Sequence, residues 1–198
     1  MTPRHKRLAI TLLSGVLLLS GCQNPFNPDT HPAEVSNTVT TASNTPEELL
    51  KNLETAYQTQ DIDLYKKCLS EDFKFVLLTT EVSDIGTDMD NDGIRDNWWG
   101  YSEEVRYHEN LFSQGSSDGK YASPYQINLS LRVPTRSVWT QCTETGYEGV
   151  LIIPCGFDLR LCFSQSTDIA SSGTALFYIR QEGSEWRILR WLDESSLF

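Results

Sequence analysis

Large apolar residues recur at every second position through the second half of the chain, and this periodicity limits the folds open to it. Ile127, Leu129, Leu131 and Val133 form one such row, and Phe157, Leu159, Leu161 and Phe163 form another behind the apolar run 150–153. Residues 174–180 and 186–191 continue the pattern, joined by Glu182-Gly183-Ser184. Alternation of this kind places one set of side chains on one face of a pleated sheet, and a short Gly-containing turn joins antiparallel neighbours. Four period-two segments in succession therefore predict a meander of long strands, with Pro154 and Gly156 marking a bulge or bend.

The first half reads differently. Thr45-Pro46-Glu47-Glu48 is a helix start, with Thr45 as N-cap, Pro46 in the first turn and Glu48 placed to close a capping box. Leu49, Leu50, Leu53, Ala56 and Tyr57 follow at helical spacing, and Asp61 caps a second short helix carrying Ile62, Tyr65, Cys68 and Leu69. Phe73, Phe75 and Leu77 then alternate as a strand, and Ser102 caps a third helix running to about Ser113. Helices gathered ahead of a meander predict an α+β fold with an antiparallel sheet.

Ahead of these elements, Arg4, Lys6 and Arg7 precede an uncharged apolar run from Leu8 to Leu19, followed by Ser20-Gly21-Cys22. About 20 apolar residues are needed to span a bilayer, so this shorter run reads as an exported leader with a lipobox. It resembles bacterial lipoprotein signals, which implies cleavage after residue 21 and lipid on Cys22. Gln23 rather than Asp after that Cys implies the outer membrane in a double-membraned cell. The resulting organisation is a signal at 1–21, a flexible Pro-, Asn-, Thr- and Ser-rich tether at 22–44, and one domain at 45–198. Without the three basic residues of the leader, 13 Lys and Arg face 27 Asp and Glu, a formal charge of −14. Such a balance excludes nucleic acid and favours cations or basic partners.

Several stretches resemble the NTF2-like superfamily, with its SnoaL-like and ketosteroid-isomerase-like branches. They are Ala56-Tyr57 followed by Asp61, Leu69-Ser70-Glu71-Asp72-Phe73 leading into a strand, and the closing Trp186-Arg187-Ile188-Leu189-Arg190-Trp191. The resemblance spans about residues 46–194 and implies a curved sheet wrapped around helices to form a cone with an apolar pocket. Isomerases of this superfamily place a Tyr in the first helix and a carboxylate on the first strand. Here those positions fall on Leu53 and Leu77, which carry no proton. Tyr57 lies a turn further on, and Asp72 falls before the strand, facing solvent.

Tyr57, Trp99, His108 and Trp191 are the pocket candidates, because aromatic side chains dominate buried area. Of the adjacent Trp98 and Trp99, one is expected inside and one at the pocket rim. Glu104 and His108 share a helix face and read as an acid/base pair or as two metal ligands, for which no third ligand is evident, against the plainer reading of His108 as a hydrogen-bonded residue at the core margin. The expected function is a lipid-anchored, non-catalytic binding or interaction module for a small molecule or envelope protein, with homodimerisation through the sheet open to it. The alternative is a SnoaL-like small-molecule enzyme. Ionisable groups converging in the pocket would distinguish the second from the first.

Residues 87–100 hold one further motif. Asp88, Asp90 and Asp92 take the first, third and fifth places of a calcium loop, Gly93 the sixth, the Ile94 carbonyl the seventh and Asp96 the ninth. Oxygen ligands at this spacing suit Ca²⁺, although Trp99 stands where an EF-hand has its bidentate Glu. The alternative is a solvated acidic loop. Among Cys68, Cys142, Cys155 and Cys162, the turn at 146–149 favours a Cys142–Cys155 pairing, against four buried thiols.

Overall fold

A computed structural model describes residues 42–116, 119, 122–163 and 168–194, all within one compact unit. The leader at 1–21, Cys22 and most of the tether lie outside the described residues. No helix among those described is long and apolar enough to cross a membrane.

Helix α1 (Pro46–Thr59) begins on the full capping box: the Thr45 hydroxyl accepts from the Glu48 N–H, and the Glu48 side chain accepts from the Thr45 N–H. Gln60 ends it in the left-handed region, and Asp61 caps α2 (Ile62–Cys68) by accepting from the Asp63 and Leu64 N–H groups. Ser43 and Asn44, the last residues expected in the tether, already touch the fold. Ser43 is buried, its carbonyl accepts from the Trp186 N–H, and its hydroxyl accepts from Asn52.

Strand β1 (Leu69–Val76) starts directly after α2, so Asp72 lies within the strand rather than before it, its side chain exposed. The one-turn helix α3 (Val82–Ile85) and the acidic loop lead into β2 (Trp98–Gly100). Helix α4 (Tyr101–Glu109) starts two residues earlier than expected, capped at Gly100 rather than Ser102 and with no side-chain cap bond, then widens into a π-helical turn, Asn110–Gln114. The sheet continues with β3 (Gln126–Arg132), the two-residue β4 (Thr140–Gln141), β5 (Leu151–Cys162), β6 (Ile169–Glu182) and β7 (Glu185–Asp193).

The strand order is β2-β1-β7-β6-β5-β3, with β4 on the free stretch of β5. All neighbours are antiparallel except β1 and β7, so the sheet is mixed rather than antiparallel throughout. That exception follows from the connectivity, because the last strand inserts between β1 and β6 instead of pairing at an edge. The bulge expected at Pro154 is absent: β5 pairs with β6 in unbroken register from Leu151 to Leu161. Pro154 falls between Ile152, where pairing with β4 begins, and Gly156, where pairing with β3 ends. In that window β5 has one open side, where a residue without an N–H is tolerated.

A bulge does occur in β7. Tyr178 pairs with Arg190 and Ile179 with Ile188, which leaves Leu189 as an extra residue. Before the bulge Trp186 and Ile188 face the helices; beyond it the phase shifts, and Trp191 rather than Arg190 joins the main core. Leu189 instead packs on the opposite face with Cys142, Val150 and Tyr178. Cys155 belongs to the main core, so it and Cys142 lie on opposite sides of the sheet, and all four cysteines described are free thiols. Burial pushes the Cys68 and Cys155 thiols up to about 12.

Candidate functional site

A cavity of about 230 Å³ lies between the helices and the inner face of the sheet. Tyr57 enters from α1, Glu104, Tyr107 and His108 from α4, Phe75 and Trp99 from β1 and β2, and Trp191 and Asp193 from β7. Leu129, Phe157, Leu159 and Ser171 complete the lining. All four pocket candidates, Tyr57, Trp99, His108 and Trp191, line this one cavity. The helical spacing of Glu104 and His108 directs both toward it, and the β7 bulge adds Asp193.

Its polar wall is a connected chain. The Tyr57 hydroxyl lies 2.6 Å from His108 Nε2, and His108 Nδ1 lies 3.0 Å from the Glu104 carbonyl and 3.4 Å from its carboxyl Oε1. Nδ1 faces acceptors, so it carries the ring proton, and the Nε2 lone pair accepts from Tyr57. Glu104 is 1 % exposed, and its carboxyl is closed off by two donors at 2.5 Å: the Tyr65 hydroxyl on Oε1 and the Trp99 N–H on Oε2. The imidazole also stacks on Tyr65 with ring centres 4.0 Å apart, and Tyr57 and Phe112 meet it edge-on.

Burial holds the His108 imidazole below its ordinary range, with the neighbouring Glu104 carboxyl opposing that shift. His108 is therefore neutral near neutral pH, and its approach to Glu104 is a contact with a neutral ring rather than an ion pair. Burial raises the Tyr57 and Tyr65 phenols far above their usual range, and the charge of Glu104 adds to the effect. The resulting wall keeps its protons on Tyr57 and on His108 Nδ1, with a free energy cost for any charge created there unless Glu104 compensates it.

The remaining walls are aromatic. Phe75 and Trp99 stack at 4.5 Å, Tyr107 meets Trp99 edge-on, and Trp191 tilts against Phe75 and Phe177. The Trp191 indole nitrogen is buried with no acceptor among the described residues. Trp98 departs from the expected rim position. It alternates to the other face of β2, where Lys74 Nζ lies 4.3 Å over its ring.

The acidic loop lies outside this cavity. Side-chain oxygens of Asp88, Asp90 and Asp96 come within 4.8 Å of one another. Asp92 does not join them, because its carboxyl turns back to accept the Ile94 N–H at 2.7 Å. The Ile94 side chain is exposed. Backbone donors hold the loop: the Asp92 and Gly93 N–H groups bind Asp88, and the Met89 N–H binds Asp96. Gly93 has φ of +87°, the left-handed geometry for which the turn selects glycine. One hydrogen bond, Thr87 to the Tyr107 hydroxyl at 3.2 Å, ties this loop to the cavity wall.

No family model matches the sequence, and no curated protein matches it. Among solved structures, a conserved protein from Planctomyces limnophilus DSM 3776 aligns with a TM-score of 0.52 at 12 % identity, over 76 % of this chain and 92 % of its own. A proposed aromatic ring hydroxylase from Novosphingobium aromaticivorans DSM aligns with a TM-score of 0.51 at 17 % identity, over 77 % of this chain and 87 % of its own. Identity this low speaks for the backbone alone. The fold is the NTF2-like α+β cone.

Proposed function

We propose that this domain takes a small molecule with an apolar body into the cone cavity and exchanges a proton with it. The observation that supports this reading is the Tyr57–His108–Glu104 chain on the wall of an aromatic cavity. Apolar side chains of similar volume would stabilise this wall at least as well, and a buried carboxyl, imidazole and phenol that meet at a cavity are a combination suited to moving a proton. Tyr57 is the group that meets the ligand. Its oxygen accepts a proton from the bound molecule while its own proton passes to His108 Nε2, and the imidazolium so formed lies beside the Glu104 carboxyl. Leu53 and Leu77, where isomerases of this fold hold their acid and base, take no part.

The test has two readings. Native mass spectrometry of the full-length protein should detect a retained small molecule that Ser171→Trp, which fills the cavity from its rim, displaces. In D₂O that molecule should gain deuterium with the native protein and lose the gain with His108→Gln. Retention without exchange would leave a binding module, which was the expectation from sequence.

The domain is placed by its leader. We infer lipidation at Cys22 and attachment to the outer membrane, with the 22–44 tether holding the cone clear of the surface. Cys22→Ala should move the protein from the membrane fraction to the soluble one. Asp88, Asp90 and Asp96 offer oxygen ligands of the kind Ca²⁺ prefers, and a bound ion would order the loop next to Tyr107. Millimolar Ca²⁺ added to chelator-treated protein should raise its melting temperature, and an unchanged transition would rule this out.

A further inference from the structure

Two indole N–H groups belong to the aromatic part of the cavity, and they differ in one respect. The Trp99 N–H is taken by Glu104 Oε2, whereas the Trp191 N–H has no acceptor among the described residues. Trp191 is 7 % exposed, and the rings beside it, Phe75 and Phe177, offer no acceptor. A donor left unmade in a dry interior is destabilising, and a group that supplies the acceptor recovers the loss. The nitrogen has almost no open surface, so the indole has to turn slightly to meet an acceptor, and the cavity that it lines is where space exists for both.

The chemistry of this donor narrows what the acceptor is. An indole N–H donates and cannot accept, so it selects an atom with a lone pair and is of no use to an ammonium group. The Ser171 hydroxyl, which also lines the cavity, donates and accepts and so selects neither. Ser171 lies well along β6 from Phe177, the residue paired with Trp191, so these two donors do not converge on one atom. An anionic oxygen would lack a counter-charge, because no Lys or Arg is among the described lining residues while the Glu104 carboxyl is. An alcohol needs an acceptor for its own O–H, whereas a carbonyl oxygen asks only for a donor.

Building on the proposed use of the cavity for an apolar molecule, we propose that Trp191 is a recognition residue. Its indole N–H holds the carbonyl oxygen of a neutral ligand whose apolar body packs on Phe75, Trp99 and Phe157, the aromatic walls of the same cavity.

Calorimetric titration of the full-length protein with acetophenone, α-methylstyrene and benzoate tests this. The first two have nearly the same shape, with the C=O of one replaced by C=CH₂ in the other. The ketone should bind about tenfold more tightly than the alkene, as one hydrogen bond to an otherwise unpaired buried donor implies, and more tightly than benzoate. Trp191→Phe should remove most of that advantage, and Ser171→Trp should abolish binding. In nitrogen-edited NMR of the native protein, the Trp191 indole N–H, assigned through its contacts with Phe75 and Phe177, should move further downfield with the ketone than with the alkene.

Equal binding of ketone and alkene, a ketone preference that Trp191→Phe leaves unchanged, or tighter binding of benzoate overturns the assignment. If Ser171→Trp still abolishes binding in those cases, the cavity reading stands; ketone binding that survives Ser171→Trp places the site elsewhere and overturns both. No binding by any of the three overturns the role of Trp191, and the cavity reading then stands or falls on the retained molecule that Ser171→Trp displaces. If Trp191→Phe does not fold, the ranking of the probes and the indole shift on the native protein decide.

Discussion

Two groups of acidic residues flank the short strand β2. Asp88, Asp90 and Asp96 precede it, exposed or half-buried, and their oxygens accept backbone N–H groups of their own loop. Glu104 follows it, buried, with its oxygens taken by side chains from α2 and β2. In the loop, water is always an alternative partner, so each contact contributes little. In the cavity wall no alternative exists, and the loss of one group leaves its partners unpaired in a dry interior. Carboxyl density in the sequence is therefore a poor guide to where a carboxyl matters; its enclosure is the better one.

Substitutions on the two sides should separate widely. Glu104→Ala orphans the Tyr65 hydroxyl and the Trp99 N–H at once and should cost about 2–6 kcal/mol in urea denaturation, at about 1–3 kcal/mol for each orphaned buried group. Tyr57→Phe leaves His108 Nε2 without a donor and should cost about 1–3 kcal/mol on the same basis. A loss below 1 kcal/mol for Glu104→Ala would mean that water reaches the wall, and the contrast with the loop would fail.

The third effect depends on pH. His108 has its folded pKa below the unfolded value of about 6.5, so the unfolded chain binds the proton first as the solution is acidified. The stability that comes from keeping the ring neutral is complete above about pH 6.5. It falls away as pH drops from there toward the folded pKa. The groups facing the ring are Tyr57, Tyr65 and Glu104, of which Glu104 opposes the shift. Melting temperatures measured across this window should decline for the native protein and decline less for His108→Gln. Equal slopes would assign the acid sensitivity to other groups.

The smallest effect belongs to the loop. Without metal, Asp90→Ala should change stability by no more than about 0.5 kcal/mol, as exposed positions generally do. With Ca²⁺ present, the same substitution should erase the stabilisation by the ion. A metal-free cost as large as that of Glu104→Ala would show that the loop is structural in its own right.

Much of the frame is legible along the chain because local rules dominate there. The Thr45–Glu48 capping box, the Asp61 cap and the turn at Gly183 each involve neighbours in sequence, and the element order follows from them. The position of β7 between β1 and β6 is a long-range choice, and with it comes the parallel pair that period-two reading cannot supply. Asp193 is invisible for a related reason: strict alternation from Trp186 and Ile188 would turn Arg190 inward, and only the bulge at Leu189 brings Trp191 and Asp193 to the cavity. Glu104 and His108 show their shared helix face in sequence. Their partners Tyr57, Tyr65 and Trp99 come from three other elements, so the network itself does not show. The loop gives the opposite lesson, since its five-ligand spacing reads cleanly while Asp92 turns away to its own backbone.

The state of one ring tests the proposed chemistry most directly. Nitrogen-edited NMR of the His108 imidazole, assigned by comparison with His108→Gln, should show near neutral pH a neutral ring protonated on Nδ1, with Nε2 accepting the Tyr57 hydroxyl and titrating only below about pH 6.5. A ring already charged at neutral pH, or one protonated on Nε2, would contradict the proton path from the cavity through Tyr57.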